Sequence, residues 1–557
     1  MRSTSVVILL LVLLACGKKD TSVDDNKENS GKTVLSFFTK PEAEYIDSIR
    51  IDSFFIKYPE FTTYKNKLKK FYSRRNYELA WSHKGEFLPQ ADMLINLIQY
   101  ADLEGIDSCF TSSKYIREQL LTAKTTTIKS PKAKGLRQEL DLLLSANYFK
   151  YASNIWKGKV YPQAQNLEWY VEMKKIKYGK TLDSILSAHH EINPFTLYEP
   201  LHEHYKKLKK ELIRYKLIEE AGGWPELKPS KNILQSGDTV SEVKQLKRNL
   251  YIMGDYKGDT SSTVFSNELK NAVKQFQKRH GLNPDGVVNE KTLEALNIPV
   301  SSRIEQIIIN MERWRWIPQQ LPENYLLVNI PDYKLKIIEH GKTVDEMRVI
   351  VGDKATLTPV FNDEIEYIVF NPYWHIPESI ALEEIAPRLN EDENYLISEG
   401  IEIFPKDNSD SLIDPATITW DSVTVDTFPY YFKQKPGPKN PLGRVKFIFP
   451  NAFSVYLHDT PGQHLFDEKQ RGFSHGCIRV EAAIKLAQYL LSENEDWNRK
   501  KIESVLKSEK EKSIRLSKKM PVYIVYFTSW TDENGLLNFR NDIYQHDTKL
   551  SRIFFEK

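Results

Sequence analysis

Apolar side chains recur every three or four positions through most of residues 42–228, the spacing of one helix face. Segments 64–72 (YKNKLKKFY) and 91–98 (ADMLINLI) carry the pattern, and 136–151 (LRQELDLLLSANYFKY) is a long amphipathic stretch. Their Leu, Tyr and Phe stripes read as core, and no catalytic constellation falls among them. The pattern breaks at Gly222-Gly223-Trp224-Pro225, which marks a boundary. Three short helical stripes then follow within 236–299: Val240, Val243, Leu246 and Leu250; Leu269, Ala272, Val273 and Phe276; Leu293 and Leu296. Gly254 and Gly281 stand where the first two stripes end, as left-handed caps do, and Asp285-Gly286 is a turn pair. A further helix, expected as a linker over 300–324, contains Arg313-Trp314-Arg315-Trp316. From 325 the period changes to two. Residues 325–330, 334–339, 347–351 and 365–370 read as strands, so a mostly β domain is predicted over 325–530, with a C-terminal extension at 531–557. Residues 378–430 interrupt it with an acidic helical stretch (LEEIAPRLNEDENYL) too long for a connecting loop, and an inserted lid over a cleft is expected there. The fold class is multi-domain α+β: a helical domain, a small three-helix domain and a mostly β domain.

The N-terminus adds a compartment to this plan. Arg2 precedes the apolar run Val6 to Leu14, which is shorter than the roughly 20 residues that span a bilayer and has the form of an export signal. The run ends in Leu13-Leu14-Ala15-Cys16, which resembles a bacterial lipobox, and the resemblance implies that Cys16 is lipidated and begins the mature chain. Residues 17–41 open with a polar stretch rich in Lys, Asp, Asn and Ser that buries too little to fold, so a flexible tether is expected. The periplasm, with a lipid anchor in a membrane, is the expected location.

Composition narrows the chemistry. The 557 residues, 41% apolar and 27% charged, suit several globular domains rather than a disordered or fibrous chain. A net charge of +3 does not call for nucleic acid as a partner. Three cysteines exclude a disulfide scaffold and a four-thiolate zinc site. Cys109 sits in a segment with no histidine close by and reads as a structural thiol. The other candidate, Cys477, lies in Phe473-Ser474-His475-Gly476-Cys477-Ile478-Arg479-Val480, downstream of Tyr456-Leu457-His458-Asp459-Thr460-Pro461. A cysteine nucleophile needs a base or cation and donors aimed at the developing oxyanion. His458, at a strand end, can face the cysteine across the sheet. The N–H groups of Gly476 and Cys477 can converge on one oxygen. Three other readings stand beside this one: a zinc site drawing on His458, His475, Cys477 and Asp459, a buried inert thiol, and a pairing of Cys477 with Cys109.

Two resemblances extend these readings. The segment 236–299, with AVKQFQKRHGL and DGVVNEKTL in order, resembles the peptidoglycan-binding domain of bacterial wall hydrolases. His458 followed by Ser474-His475-Gly476-Cys477-Ile478-Arg479 is similar to the signature of L,D-transpeptidases, cysteine enzymes that cross-link peptidoglycan. Thr358-Pro359-Val360-Phe361, Asn371-Pro372 with Trp374, Pro436-Gly437-Pro438 and Asp542-Ile543-Tyr544 resemble the large periplasmic members, which carry a helical scaffold domain before a peptidoglycan-binding module. The resemblance implies that Cys477 is the nucleophile and His458 the base, oriented by the backbone carbonyl of Asp459. It places Gly476, Cys477 and His475 at the oxyanion hole. Arg479, Tyr456, Trp374 and Ser474 are placed on the substrate, with a structural ion pair for Arg479 and core packing for the two aromatics as the alternatives. No cofactor or metal is implied. The expected partners are a tetrapeptide stem as donor and a diaminopimelate amine as acceptor, with a monomer as the expected state. Water or a wall-protein amine as acceptor, and a silent peptidoglycan-binding tether, are the other functional readings.

Overall fold

The computed structural model describes residues 44–555 apart from 107–112, 127–129, 161–163, 165–166, 173, 189–191, 390–391, 393, 407–410 and 419–428. Cys16, the 17–41 tether and Cys109 lie outside the described residues. Among those described, no helix is long and apolar enough to cross a membrane.

The helical region is organised around α1 (Pro131–Tyr151), whose start is set by Pro131 in the first turn and by Ser130 Oγ accepting from Ala133 N–H. Its second half is buried on every side, including Asp141, which accepts from the backbone of Ala80 and Trp81 and from the Tyr72 hydroxyl. A later helix, α2 (Glu203–Glu220), buries Tyr205, Leu208, Leu212 and Tyr215 at three- and four-residue spacing.

The small module follows as α3 (Ser241–Met253), α4 (Asn267–Arg279) and α5 (Glu290–Asn297). Ser266 and Asn289 cap the second and third by accepting from Leu269 and Thr292 N–H, each cap contributing about 1 kcal/mol. Gly254 ends the first in the left-handed conformation. The module has its own apolar core, built on Leu246, Leu250, Phe265, Val273 and Phe276.

The expected linker is a core helix instead. In α6 (Val300–Trp316) the apolar residues Ile304, Ile307, Ile308, Met311 and Trp314 are buried, and so are Glu312, Arg313 and Arg315. The charged residues are tolerated because they are paired. Arg315 meets Glu312 at 2.7 Å and donates to the Glu104 carbonyl, while Arg313 meets Asp547 at 2.5 Å. Through α6 the helical region and the β domain share one continuous apolar core rather than two.

The β domain is a nine-stranded sheet. Its strands are β1 (Asn324–Asn329), β2 (Lys334–Glu339), β3 (Lys342–Gly352), β4 (Phe361–Phe370), then, beyond an insertion, β8 (Val445–Ile448), β9 (Leu457–His458), β10 (Gly472–Ser474), β11 (Ile478–Val480) and β12 (Lys512–Val525). The spatial order is β10-β3-β11-β9-β8-β4-β12-β1-β2, and an added β3–β2 pairing closes it on itself. The insertion holds β5 (Trp374–Ile376), β6 (Ile401–Pro405) and β7 (Tyr430–Gln434), which form a separate sheet in the order β5-β7-β6. This element is a small folded subdomain with its own core of Ile376, Ile385, Leu396, Ile403 and Phe432, wider than the 378–430 expected. The C-terminal residues are no appendage either: β13 (Ser529–Thr531) pairs with β14 (Leu537–Phe539), and α7 (His546–Phe555) packs on α6.

Candidate active site

Strand register assembles the site. Across five strands, Val369, Lys446, His458, Arg479 and Ile350 are successive backbone partners. Directly paired residues share a face, and residues two apart on a strand do too. Lys446, His458, Arg479, Tyr456 and Cys477 therefore lie on one face. The alternate residues Phe447, Leu457, Ile478 and Val480 are fully buried in the main core on the other. This is why each of these short strands sets a polar residue among apolar ones.

The pairing puts Arg479, not Cys477, opposite His458; Ile478 N–H donates to the Tyr456 carbonyl at 3.1 Å, so Tyr456 flanks the cysteine and His458 is diagonal to it. Cys477 is a free, half-buried thiol, with its sulfur 3.9 Å from the Ser454 carbonyl and in hydrogen-bonding reach of the Tyr456 hydroxyl. The Trp374 side chain, at the root of the insertion, lies beside that same hydroxyl. Lys446 Nζ lies 3.8 Å from the centre of the Tyr456 ring, a close cation–π contact. Burial pushes the Cys477 thiol up, against the lowering effects of Tyr456, Lys446 and Arg479.

His458 is 4% exposed, and its Nδ1 lies 2.6 Å from the Asp459 carbonyl oxygen. A carbonyl only accepts, so in the neutral ring Nδ1 carries the proton and Nε2 the lone pair, the form a base requires. Burial, with Arg479 and Lys446 alongside, holds the imidazole down to about 3. The Asp459 carboxylate turns elsewhere: Oδ2 accepts from Arg444 N–H at 2.8 Å, beside Gly443.

The turn from 474 to 477 is clamped from below. Gly476 has φ +102°, where side chains are rarely accommodated. Its carbonyl accepts from Thr358 Oγ1 at 2.9 Å, that oxygen accepts from Gly352 N–H at 2.8 Å, and the Gly352 carbonyl accepts from the Tyr544 hydroxyl at 2.5 Å. Thr358 and Tyr544, picked out in the sequence only as parts of similar segments, thus hold the nucleophile's turn. Ser474 Oγ donates to the Cys477 carbonyl at 2.5 Å, so its hydroxyl serves the turn rather than facing a substrate.

Two groups expected at the oxyanion hole have other partners in this structure. The Gly476 N–H donates to Ser474 Oγ, 3.3 Å away. The His475 ring leaves the turn entirely: Nε2 lies 2.9 Å from Glu384 Oε1 in the inserted subdomain, with over half of the side chain exposed. Its neighbour Gly476 adopts a left-handed conformation, and the ring is presented to the insertion. Among the described residues, no group of three or more His, Cys, Asp and Glu side chains could hold a metal. Arg479 forms no ion pair with a carboxylate among the described residues, and its Nε is buried without a partner. Lys446 was not singled out in the sequence. The available signal was a lysine between Val445 and Phe447, which by itself reads as an ordinary solvated strand position.

Comparison with known proteins places this geometry. Residues 323–524 match the model of an L,D-transpeptidase catalytic domain, 66–212 that of a scaffold domain and 239–296 that of a "Putative peptidoglycan binding domain". Together these matches support the L,D-transpeptidase family, with the catalytic domain over 323–524. A "Putative L,D-transpeptidase" of Haemophilus influenzae is 36% identical over 295 residues, which are 52% of this chain and 58% of that protein, so the match spans little more than half of the relative. Among solved structures, an L,D-transpeptidase from Stackebrandtia nassauensis is 14% identical, with 54% of this chain and 97% of that one covered at a TM-score of 0.21. One from Xylanimonas cellulosilytica is 15% identical, with 54% and 100% covered and a TM-score of 0.18. Both scores are too low to establish likeness over the aligned length. The family signature His458…Ser474-His475-Gly476-Cys477 is intact in this chain.

Proposed function

We propose that this chain is a peptidoglycan L,D-transpeptidase that forms 3→3 cross-links through a thioester on Cys477. The observation that carries the reading is the shared face of Cys477, His458, Tyr456, Lys446 and Arg479, with His458 held as a neutral base by the Asp459 carbonyl. The Cys477 sulfur adds to the carbonyl carbon of the third stem residue as its proton passes to His458. The ring returns that proton to the amine of the terminal D-alanine as the C–N bond breaks, leaving a thioester. The side-chain amine of a diaminopimelate on a second stem then attacks, and the sulfur leaves and regains a proton. Arg479, with its unpartnered Nε, suits a stem carboxylate. The three-helix module supports peptidoglycan as the substrate.

A carbapenem takes the place of the donor in the test. Intact-mass spectrometry should find one adduct per chain, mapped to the Cys477 peptide and absent from Cys477→Ser. His458→Ala should acylate about 10²–10⁴-fold more slowly, the usual contribution of a positioned base. Adducts confined to Cys109 would overturn the assignment. The anchor is tested separately: we place the lipid on Cys16, in a periplasmic setting, so labelled palmitate should enter the wild type and not Cys16→Ala. Equal labelling of both would remove the anchor.

A further inference from the structure

A cleft of about 650 Å³ lies away from Cys477, between the three-helix module and the closed sheet. Its walls include Lys278, Lys291 and Ala295 of the module, the 466–471 loop, and Phe539 and Arg540 of the C-terminal segment. Glu294, Asp332, Asp467 and Glu468 also line it, but Asp332 is paired with Arg540 and Asp467 with Arg348, and basic side chains are in excess. The module is docked firmly here: Arg540 donates to the Arg279 carbonyl at 2.9 Å, and Arg279 to the Leu537 carbonyl at 3.2 Å.

Arg303 lines this cleft and is only 6% exposed. Its guanidinium lies 4.4 Å from the centre of the Phe539 ring and donates to Gln306 Oε1 at 2.9 Å and the Ala295 carbonyl at 3.3 Å. All three partners are neutral, and no carboxylate pairs with it among the described residues. It also sits in the first turn of α6, where the helix dipole disfavours a cation. A buried charge left in this state is costly unless an anion joins it. Lys278, Lys291 and Lys469 stand exposed around the cleft, and none of them is in an ion pair among the described residues. The 466–471 loop runs straight into β10 and the turn that carries Cys477.

We infer that this cleft is a second peptidoglycan site, in which a carboxylate of a stem peptide docks on Arg303 while another stem occupies the catalytic face. The inference rests on peptidoglycan being the substrate. The size suits a peptide-sized ligand, and a guanidinium with lysines around it suits carboxylates. Anionic wall polymers offer phosphate in place of carboxylate, and the test separates the two.

The full chain is first acylated on Cys477 with a carbapenem, then titrated calorimetrically with a soluble disaccharide-tetrapeptide, the same compound with its carboxylates amidated, and inorganic phosphate. The acylated protein should still bind the acid form. Amidation of the ligand, Arg303→Met and the pair Lys278→Ala/Lys291→Ala should each weaken binding by about tenfold or more. The exposed lysine pair keeps the test decisive if Arg303→Met does not fold. Loss of all binding on acylation, unchanged binding in the variants, or equal displacement by phosphate would overturn the inference. A chain that acylates normally yet shows no second site loses this inference alone; one that never acylates on Cys477 loses the proposed function.

Discussion

Cys477 and His458 are both held in their neutral forms by the same environment. Burial raises the thiol, and burial with two nearby cations lowers the imidazole to about 3, so at neutral pH the free protein holds a thiol and a neutral base rather than an ion pair. Thiolate then appears only on the alkaline side of the ordinary cysteine range. Alkylation of Cys477 by iodoacetamide should therefore keep rising through pH 9, with no plateau near neutrality. Tyr456, Lys446 and Arg479 oppose burial, so Lys446→Met or Tyr456→Phe should slow alkylation at pH 8 by about three- to tenfold. A plateau below pH 7 in the wild type would mean that a thiolate–imidazolium pair exists after all.

Elements bring together what the sequence keeps apart. The nucleophile's motif is legible because its residues are contiguous, and the orienting carbonyl because it is the next residue to His458. Lys446 gains meaning only from the β8–β9 register, which no local pattern reports. The contact between His475 and Glu384 was equally hidden, since the two lie in different sheets' territory and neither position is unusual. Both side chains are about half exposed, so that bond contributes no more than about 1 kcal/mol. Glu384→Ala should thus raise hydrogen exchange over residues 378–389 only a few-fold, leaving β11 unchanged. An acylating inhibitor bound at Cys477 should slow exchange in the same segment if it closes over the cleft. Exchange indifferent to both would make the inserted subdomain a fixed elaboration of the fold.

For the molecule as a whole, periodicity located the helical region, the module and the strands, but not how they share a core. The helix expected as a linker is a core element because partners distant in the chain bury its charges: Glu104 and Asp547 are more than two hundred positions away in chain order. The module's attachment was hidden for the same reason. It hinges on Arg279, whose Nε and Nη2 meet the Asp255 carboxylate at 2.7 and 2.5 Å, with the two side chains 6% and 1% exposed. From that pair, Arg279 reaches the Leu537 carbonyl of the C-terminal segment. A buried ion pair adds little by existing, but removing one partner strands the other, at a cost of about 3–5 kcal/mol. Asp255→Ala should therefore lower the melting temperature by several degrees and loosen the module, opening the segment before α6 to protease. Replacing both residues, as Asp255→Ala with Arg279→Met, should restore much of the loss, because no charge is then left buried. Carbapenem acylation of Cys477 should survive in both variants, since neither residue belongs to the catalytic sheet. A single variant as stable as the parent would show that the pair carries no such role, and a double variant no better than the single would place the loss in packing rather than charge.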